Sequence, residues 1–275
     1  MRLKALVIII FCFLITSSFV ILSFDEFSEA SGKEIYVHNA IYAVRDGSAE
    51  HPYASIQHAI DLADEGDTIY VFGGIYNETL SIDKRINLIG SVENGNTIIS
   101  KNEHHMYTIE ITADYVTLEG FNISEASSSN QVALVYTRSN SAVIQRNNIT
   151  YSGTYGIYLD SSNDNTIGSN LINDTKGIYL SSSNNNVIHS NKISNCSGAA
   201  VYMAPLDNNN ILYNNNFSYN EYGIYAADSS EINISNNIFN YNKLDGIKLK
   251  AGNNVIIINN IVRNNDRNGI KSMWD

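Results

Sequence analysis

The chain has two cysteines among 275 residues and 17 basic residues against 28 acidic ones. Cys12 sits in an apolar run at the start and Cys196 far downstream, so once that run is set aside a single thiol remains. No internal disulfide can form, and stability has to come from packing. The formal charge is −11. No cluster of Lys and Arg is dense enough to follow a phosphate backbone, which excludes nucleic acid as a partner. Metal chemistry lacks a motif too. His38, His51, His58 and His189 are scattered and only His104 and His105 are adjacent, with no Cys-x-x-Cys and no methionine cluster. That pattern implies neither a metal site nor a cofactor. Helical periodicity is missing almost everywhere beyond residue 30.

A repeat is present instead. Gly156-Ile157-Tyr158-Leu159, Gly177-Ile178-Tyr179-Leu180, Ala200-Val201-Tyr202-Met203, Gly223-Ile224-Tyr225-Ala226, Gly246-Ile247-Lys248-Leu249 and Gly269-Ile270-Lys271 recur at spacings of 21, 23, 23, 23 and 23 residues. A second ladder places an apolar residue or Thr four positions before an Asn: Val143/Asn147, Thr166/Asn170, Val187/Asn191, Ile211/Asn215, Ile232/Asn236 and Val255/Asn259. Ile and Val hold the frame, and no Leu-rich or helical pattern fills the period, which argues against a leucine-rich repeat and for a coil of short strands. Leu134 lies nine residues before Val143, as Ile157 lies nine before Thr166, so the coil starts before Val143. Residues 141 to 275 contain 30 Asn. These suit tight bends, where Asn tolerates the left-handed conformation and stacked amides bond from turn to turn. The regular Ile/Val frame argues against a disordered reading of the same composition.

Residues 1–30 read as a targeting segment: Arg2 and Lys4 precede an apolar run over residues 5–24, followed by Asp25, Glu26 and Glu29. Two readings stay open, a cleaved export signal and an uncleaved membrane anchor, and both place the remainder outside the cytoplasm. The exported part keeps 15 basic and 25 acidic residues, a charge of −10. Residues 33–100 differ from the repeats and contain the one convincing helix, Ser55 to Asp64. Ile56, Ala59, Ile60 and Ala63 share one face, Ser55 is placed to cap the start and Gly66 to cap the end. One amphipathic helix ahead of a strand array is expected to cover the open first coil. Residues 101–275 carry the repeats.

Asp46-Gly47-Ser48, Ser55-Ile56-Gln57, Gly66-Asp67-Thr68-Ile69, Gly74-Ile75-Tyr76 and Ile86-Asn87-Leu88-Ile89-Gly90 resemble the opening of pectin-lyase-like β-helix proteins, and the later tract resembles the NosD-like repeat family. The resemblance implies an all-β fold: a right-handed single-stranded parallel β-helix, three short strands per turn, with an N-terminal capping helix. It is specific for fold and weak for activity, since such folds carry many chemistries and none. Residues one period apart then stack roughly 4.8 Å apart. In Gly-Ile-Tyr-Leu the Ile and Leu point in and Tyr points out.

On that fold Tyr158, Tyr179, Tyr202 and Tyr225 form an outward column that passes into Lys248 and Lys271. Aromatic faces with adjacent donors suit polysaccharide, and the two ammonium groups suit an acidic one. Against this stands plain strand propensity, which enriches Tyr on any sheet. Catalysis has weaker support. Asp160, Asp207, Asp228, Asp245 and Asp266 share no register on adjacent turns, and the Asn-Thr-Asp, Asp-Asp and Gly-His-Gly signatures of polygalacturonases are absent. No catalytic residue is assigned. The preferred reading is a non-catalytic, exported protein with a structural or polysaccharide-binding role at the cell surface. The alternative is a lyase, hydrolase or epimerase acting on uronic-acid polymers. The chain stops partway into a turn at Trp274-Asp275, which leaves three readings of that end: Trp274 folds over it, another chain covers it end to end, or the sequence continues.

Overall fold

The computed structural model describes residues 32–40, 44–91, 97–100, 105–124 and 131–273. The targeting segment, His104 and Trp274 lie outside the described residues. Among the described residues no helix is long and apolar enough to cross a membrane.

Four short strands set the pattern: β1 (Glu34–Val37), β2 (Thr68–Val71), β3 (Gly74–Tyr76) and β4 (Leu80–Ile82). β1 pairs in parallel with β2. β2, β3 and β4 lie in three different sheets, β2 beside β1, and each later triplet of strands adds one strand to each, giving parallel sheets of ten, nine and nine strands. These are called sheets 1, 2 and 3 in chain order along a turn. The result is a right-handed, single-stranded parallel β-helix, the hand that a right-twisted strand favours when it crosses over to a parallel neighbour.

Alternation of side chains along each strand divides the molecule into an inside and an outside. Ile144, Ile167, Ile188 and Leu212 of sheet 1, Ile149, Ile172, Ile193 and Phe217 of sheet 2, and Ile157, Ile178, Val201 and Ile224 of sheet 3 are all fully buried. Each column stacks like on like through the register. Glycine is required where the wall closes in: a Cβ on Gly223 would lie 2.3 Å from the Gly246 carbonyl oxygen and 2.4 Å from the Phe239 ring.

The corners explain the asparagines, which do two separate jobs. Between sheets 1 and 2 the chain turns on one left-handed residue per coil, at Arg146, Ser169, Ser190, Asn214, Asn236 and Asn259, with φ from 53° to 57°. The residue after each is an inward Asn: Asn147, Asn170, Asn191, Asn215, Asn237 and Asn260. The backbone N–H of each donates to the side-chain oxygen of the next, at 2.8–3.0 Å. The amide nitrogens donate in turn to carbonyls of the preceding coil, as Asn170 does to Ile144 and Asn191 to Ile167 at 2.9 and 2.8 Å. A second buried ladder runs from Asn165 through Asn186 to Asn210. A third runs from Asn220 through Asn242 to Asn265.

Three expectations shift by a residue or so. The ladder members in the last two coils are Asn237 and Asn260, with Asn233 and Ile256 as the registered strand partners. Asn236 and Asn259 instead take the left-handed corner, because consecutive asparagines there leave the pattern ambiguous by one position. Val135, not Leu134, pairs with Ile157, since the loop that follows is one residue shorter in that coil. The helix α1 spans Ile56–Leu62 and ends on an extended Ala63, short of Gly66.

The start of α1 matches its expectation and adds to it. Ser55 accepts from the His58 N–H. In addition the Glu78 carboxylate, reaching from the first coil, accepts from the N–H groups of Ile56 and Gln57 at 3.0 and 2.9 Å. An anion there complements the helix dipole and fills orphan donors. The buried Ile56, Ala59 and Ile60 lie against β1, β2 and β4, so the helix lies across the first coil.

The amide ladder makes a stability prediction. Asn191 accepts from the Asn170 backbone and side chain and donates to the Ile167 carbonyl. Asn191→Ala strands those buried groups and should cost about 3 kcal/mol. The exposed Asn253→Ala should change stability by less than about 0.5 kcal/mol. Urea unfolding midpoints decide it; equal midpoints for the two variants would show that the ladder contributes nothing.

Candidate functional site

The outer side of sheet 3 carries the residues of interest. Strand register places Tyr158 beside Tyr179, Tyr179 beside Tyr202, Tyr202 beside Tyr225, Tyr225 beside Lys248 and Lys248 beside Lys271. The whole expected column is brought together, and its members are half-buried. It also continues where the sequence reading stopped, through Tyr136, which pairs with Tyr158, to Glu110 one turn earlier. Tyr136 was missed because of the one-residue slip at Leu134.

A flanking column was missed as well. Tyr107, Tyr155 and Tyr222 stand at the starts of their strands on the same face, with Ala133 and Ala199 in the intervening register positions. The signal was a tyrosine three residues before the column tyrosine, visible in Tyr155/Tyr158 and Tyr222/Tyr225.

Ring geometry separates tyrosines that serve the ladder from tyrosines that present a face. Tyr107 stacks on Tyr136 at 4.0 Å and 7°. Tyr179 stacks on Tyr155 and on Tyr202, at 4.7 and 5.3 Å. Tyr158 stands edge-on to both column neighbours, at 86° to Tyr136 and 76° to Tyr179. Its faces are therefore turned out of the stack. Tyr225 is likewise tilted by 67° from Tyr202, and the Lys248 ammonium sits 4.2 Å from its ring centre, a cation–π contact. Burial raises the phenol pKa values of Tyr155, Tyr158 and Tyr202 and pushes Tyr179 up to about 12. These four phenols therefore stay neutral at any ordinary pH.

Beside this column Asp160 is held by Tyr136, whose hydroxyl donates at 2.6 Å, and by the Arg138 guanidinium. Burial pulls the Asp160 carboxyl upward, but those donors outweigh it and leave it below its ordinary range, ionised at neutral pH. The other aspartates the sequence brings into question lie apart from it in role. Asp245 is buried and accepts from the Asn268 backbone. Asp228 is an exposed left-handed corner. Asp207 is fully buried: one carboxyl oxygen accepts from the Ser183 N–H at 2.6 Å, and the other has no partner. In the adjacent turns the same place is held by a serine, since Ser139 N–H donates to Ser162 Oγ and Ser162 N–H to Ser183 Oγ. Among the described residues no three His, Cys, Asp or Glu side chains are grouped to hold a metal ion. Cys196 is buried, and burial pushes its thiol up to about 11, which suppresses the reactive thiolate.

Comparison with known proteins agrees with this architecture. A family model described as the right handed beta helix region matches residues 87–183 and 131–275. No curated protein matches the chain. Among solved structures, XylC in complex with xylose superimposes with a TM-score of 0.72 at 12% identity, covering 87% of this chain and 68% of that one. The pectin methylesterase from Aspergillus niger gives 0.61 at 17% identity, covering 90% and 92%. The enzymatically active domain of tailspike protein 2 from bacteriophage CBA120 gives 0.62 at 12% identity, covering 88% of this chain and 43% of that one. At these identities the likeness is one of fold.

The buried Asp207 makes a pH prediction. Burial pushes its carboxyl up to about 6, with the Ser183 N–H offsetting part of the effect. An unfolded aspartate titrates near ~3.9. The folded state therefore binds the proton more tightly, so the destabilisation by the buried charge is complete above about pH 6 and fades as pH falls toward ~4. Asp207→Ser, which restores the serine of the adjacent turns, should raise the melting temperature most at pH 7.5 and only about a third as much at pH 4.5. A gain of equal size at both pH values would show that folding leaves the Asp207 carboxyl unshifted from its unfolded value.

Proposed function

The chain belongs to the right-handed β-helix family, and from that premise we propose that it is an exported, non-catalytic surface protein that binds polysaccharide along the outer face of sheet 3. The observation that carries this reading is the unbroken column from Tyr136 to Tyr225 passing into Lys248 and Lys271. Tyr158 offers an aromatic face for the C–H side of a sugar ring, phenols alongside offer donors, and the lysines at one end favour a uronate or sulfate. A polymer matches a column because both repeat along one axis. Support from the fold neighbours is coarser: one of them is in complex with xylose, and others are named as pectin methylesterase and rhamnogalacturonan lyase. Export rests on residues 1–30, through a cleaved signal or an anchor over residues 5–24.

Asp160 gives a second reading, an enzyme acting on uronic-acid polymers, because it is an ionised carboxylate set in this same face. A carboxylate held below its ordinary range suits a base or a nucleophile and not a general acid. Glu110, a second carboxylate on the face, stands two turns before the Tyr158 rung, so by register the two backbones are about 11–12 Å apart.

Retention on an array of neutral and uronate glycans tests the binding reading. Binding to an acidic polymer is expected. Tyr158→Ala should weaken it about tenfold, or ~1.4 kcal/mol, and Lys248→Met should both weaken it and flatten its salt dependence. If no glycan is retained, uronates included, the binding role is lost. Unsaturated ends, new reducing ends or altered epimer ratios on uronic-acid polymers would replace it with the enzymatic reading.

A further inference from the structure

A cavity of about 460 Å³ opens on the outer side of sheet 1, near the N-terminal end and on a different face from the tyrosine column. Its origin is a break in stacking. The outward column there reads Tyr36, Tyr70, Ile89, Glu119 through the register. Tyr36 stacks on Tyr70 at 5.5 Å and on Phe72 at 6.0 Å, so these three rings brace one another. Ile89 follows with a side chain too short to continue the stack. The far face of Tyr70 is therefore left looking over Ile89 toward Glu119.

Glu119 is fixed in place. Arg146 Nε donates to it at 2.7 Å, its Nη2 donates to the same oxygen, and the Gln145 amide donates to the other oxygen at 2.7 Å. Those three donors occupy three of the roughly four acceptor positions of a carboxylate, and one remains. The notch thus has an aromatic wall, an aliphatic floor and an oriented acceptor on the opposite side. Few polar groups at set places in an otherwise apolar concavity are what small-ligand sites share.

We propose that this notch is a binding subsite for one neutral pyranose unit. The wall and the acceptor are two rungs apart, about 9.6 Å. A sugar ring lying on Tyr70 at a carbon contact of about 3.5–4.0 Å leaves about 6 Å, by the same rough arithmetic, for a hydroxyl and its ~2.7 Å hydrogen bond to Glu119. Charge selects the neutral sugar. Arg146 is engaged with Glu119, and Glu34, which accepts from the Tyr36 hydroxyl at 2.8 Å, leaves the rim net negative. A uronate or sulfate is repelled here, the reverse of the Lys248 end of sheet 3. The subsite is independent of the role proposed for sheet 3.

Saturation-transfer NMR on the full chain with methyl β-D-xylopyranoside, methyl β-D-glucopyranoside and tetramethylammonium as probes tests it. Transfer to at least one glycoside is expected. Ile89→Tyr continues the ring stack and plugs the notch, and Tyr70→Leu removes the wall; each should weaken the signal about tenfold or more. Tyr151→Ala, at an exposed corner outside both faces, should leave it unchanged. Absence of transfer to both glycosides overturns the proposal, as does transfer to tetramethylammonium alone or a signal that persists in folded Tyr70→Leu. Circular dichroism identifies which variants are folded, and Tyr70→Leu decides should Ile89→Tyr not fold.

Discussion

Parallel hydrogen bonding from each turn to the next, at roughly 4.8 Å, is the constraint on which the molecule depends. It forces every residue to sit on its counterpart one period away. A core side chain of a different shape is felt above and below, so the inward columns hold mostly to Ile, Leu, Val and Phe, with Met203 and Ala226 as exceptions in sheet 3. The same rule carries polar groups into the interior without penalty, provided they come in series. Asn147, Asn170 and Asn191 each accept from the previous amide and donate to a carbonyl one turn back, so buried donors and acceptors are paired along the line. A half-filled series costs stability, as it does at Asp207, where a carboxylate stands in a serine column with one oxygen unpartnered.

Corners carry the opposite sign. A non-glycine residue in the left-handed region costs roughly 1–2 kcal/mol, and this chain accepts it repeatedly, at residues as unlike as Arg146, Tyr151, Glu231 and Ala251. Nothing local favours those residues there. What holds them is the pairing on either side, since a corner that relaxed would break register in two sheets. The asparagine content that elsewhere marks disorder is here divided between tolerating the bend and satisfying the backbone beside it.

The architecture was legible because period and face are written in the same residues. Ile157, Ile178, Val201, Ile224, Ile247 and Ile270 fall in one register column as their spacing requires. Legibility failed where a single residue shifts the frame. Asn236-Asn237 and Asn259-Asn260 offer two equally polar choices, and only the amide hydrogen bonds select the second. The short loop after Val135 displaced Tyr136 from the column to which it belongs. What sequence could not supply at all is ring orientation. Tyr158 and Tyr179 occupy equivalent positions, yet one turns its face out and the other stacks, according to which neighbours carry Tyr155 and Tyr107. Glu78, reaching 22 residues back to cap the Ile56 N–H, is likewise invisible without the fold.

A stacked column of identical side chains spends its surface on itself, so uniformity stabilises and interruption creates the opportunity to bind. Within the sheet 3 column the middle of the run is occupied by ring–ring contact, and the changes of character lie at Glu110 to Tyr136, at the turned ring of Tyr158, and at Tyr225 to Lys248. On sheet 1 the interruption is sharper, since Tyr70 gives way to Ile89 and then to Glu119, and a cavity appears. The two faces differ in what their interruptions bring: a cation in one, a braced carboxylate in the other. A repeat fold that must keep its columns uniform to stand can therefore still diversify function, by breaking an outward column at one rung while the inward column Ile69, Leu88 and Leu118 beside it remains fully buried and aliphatic.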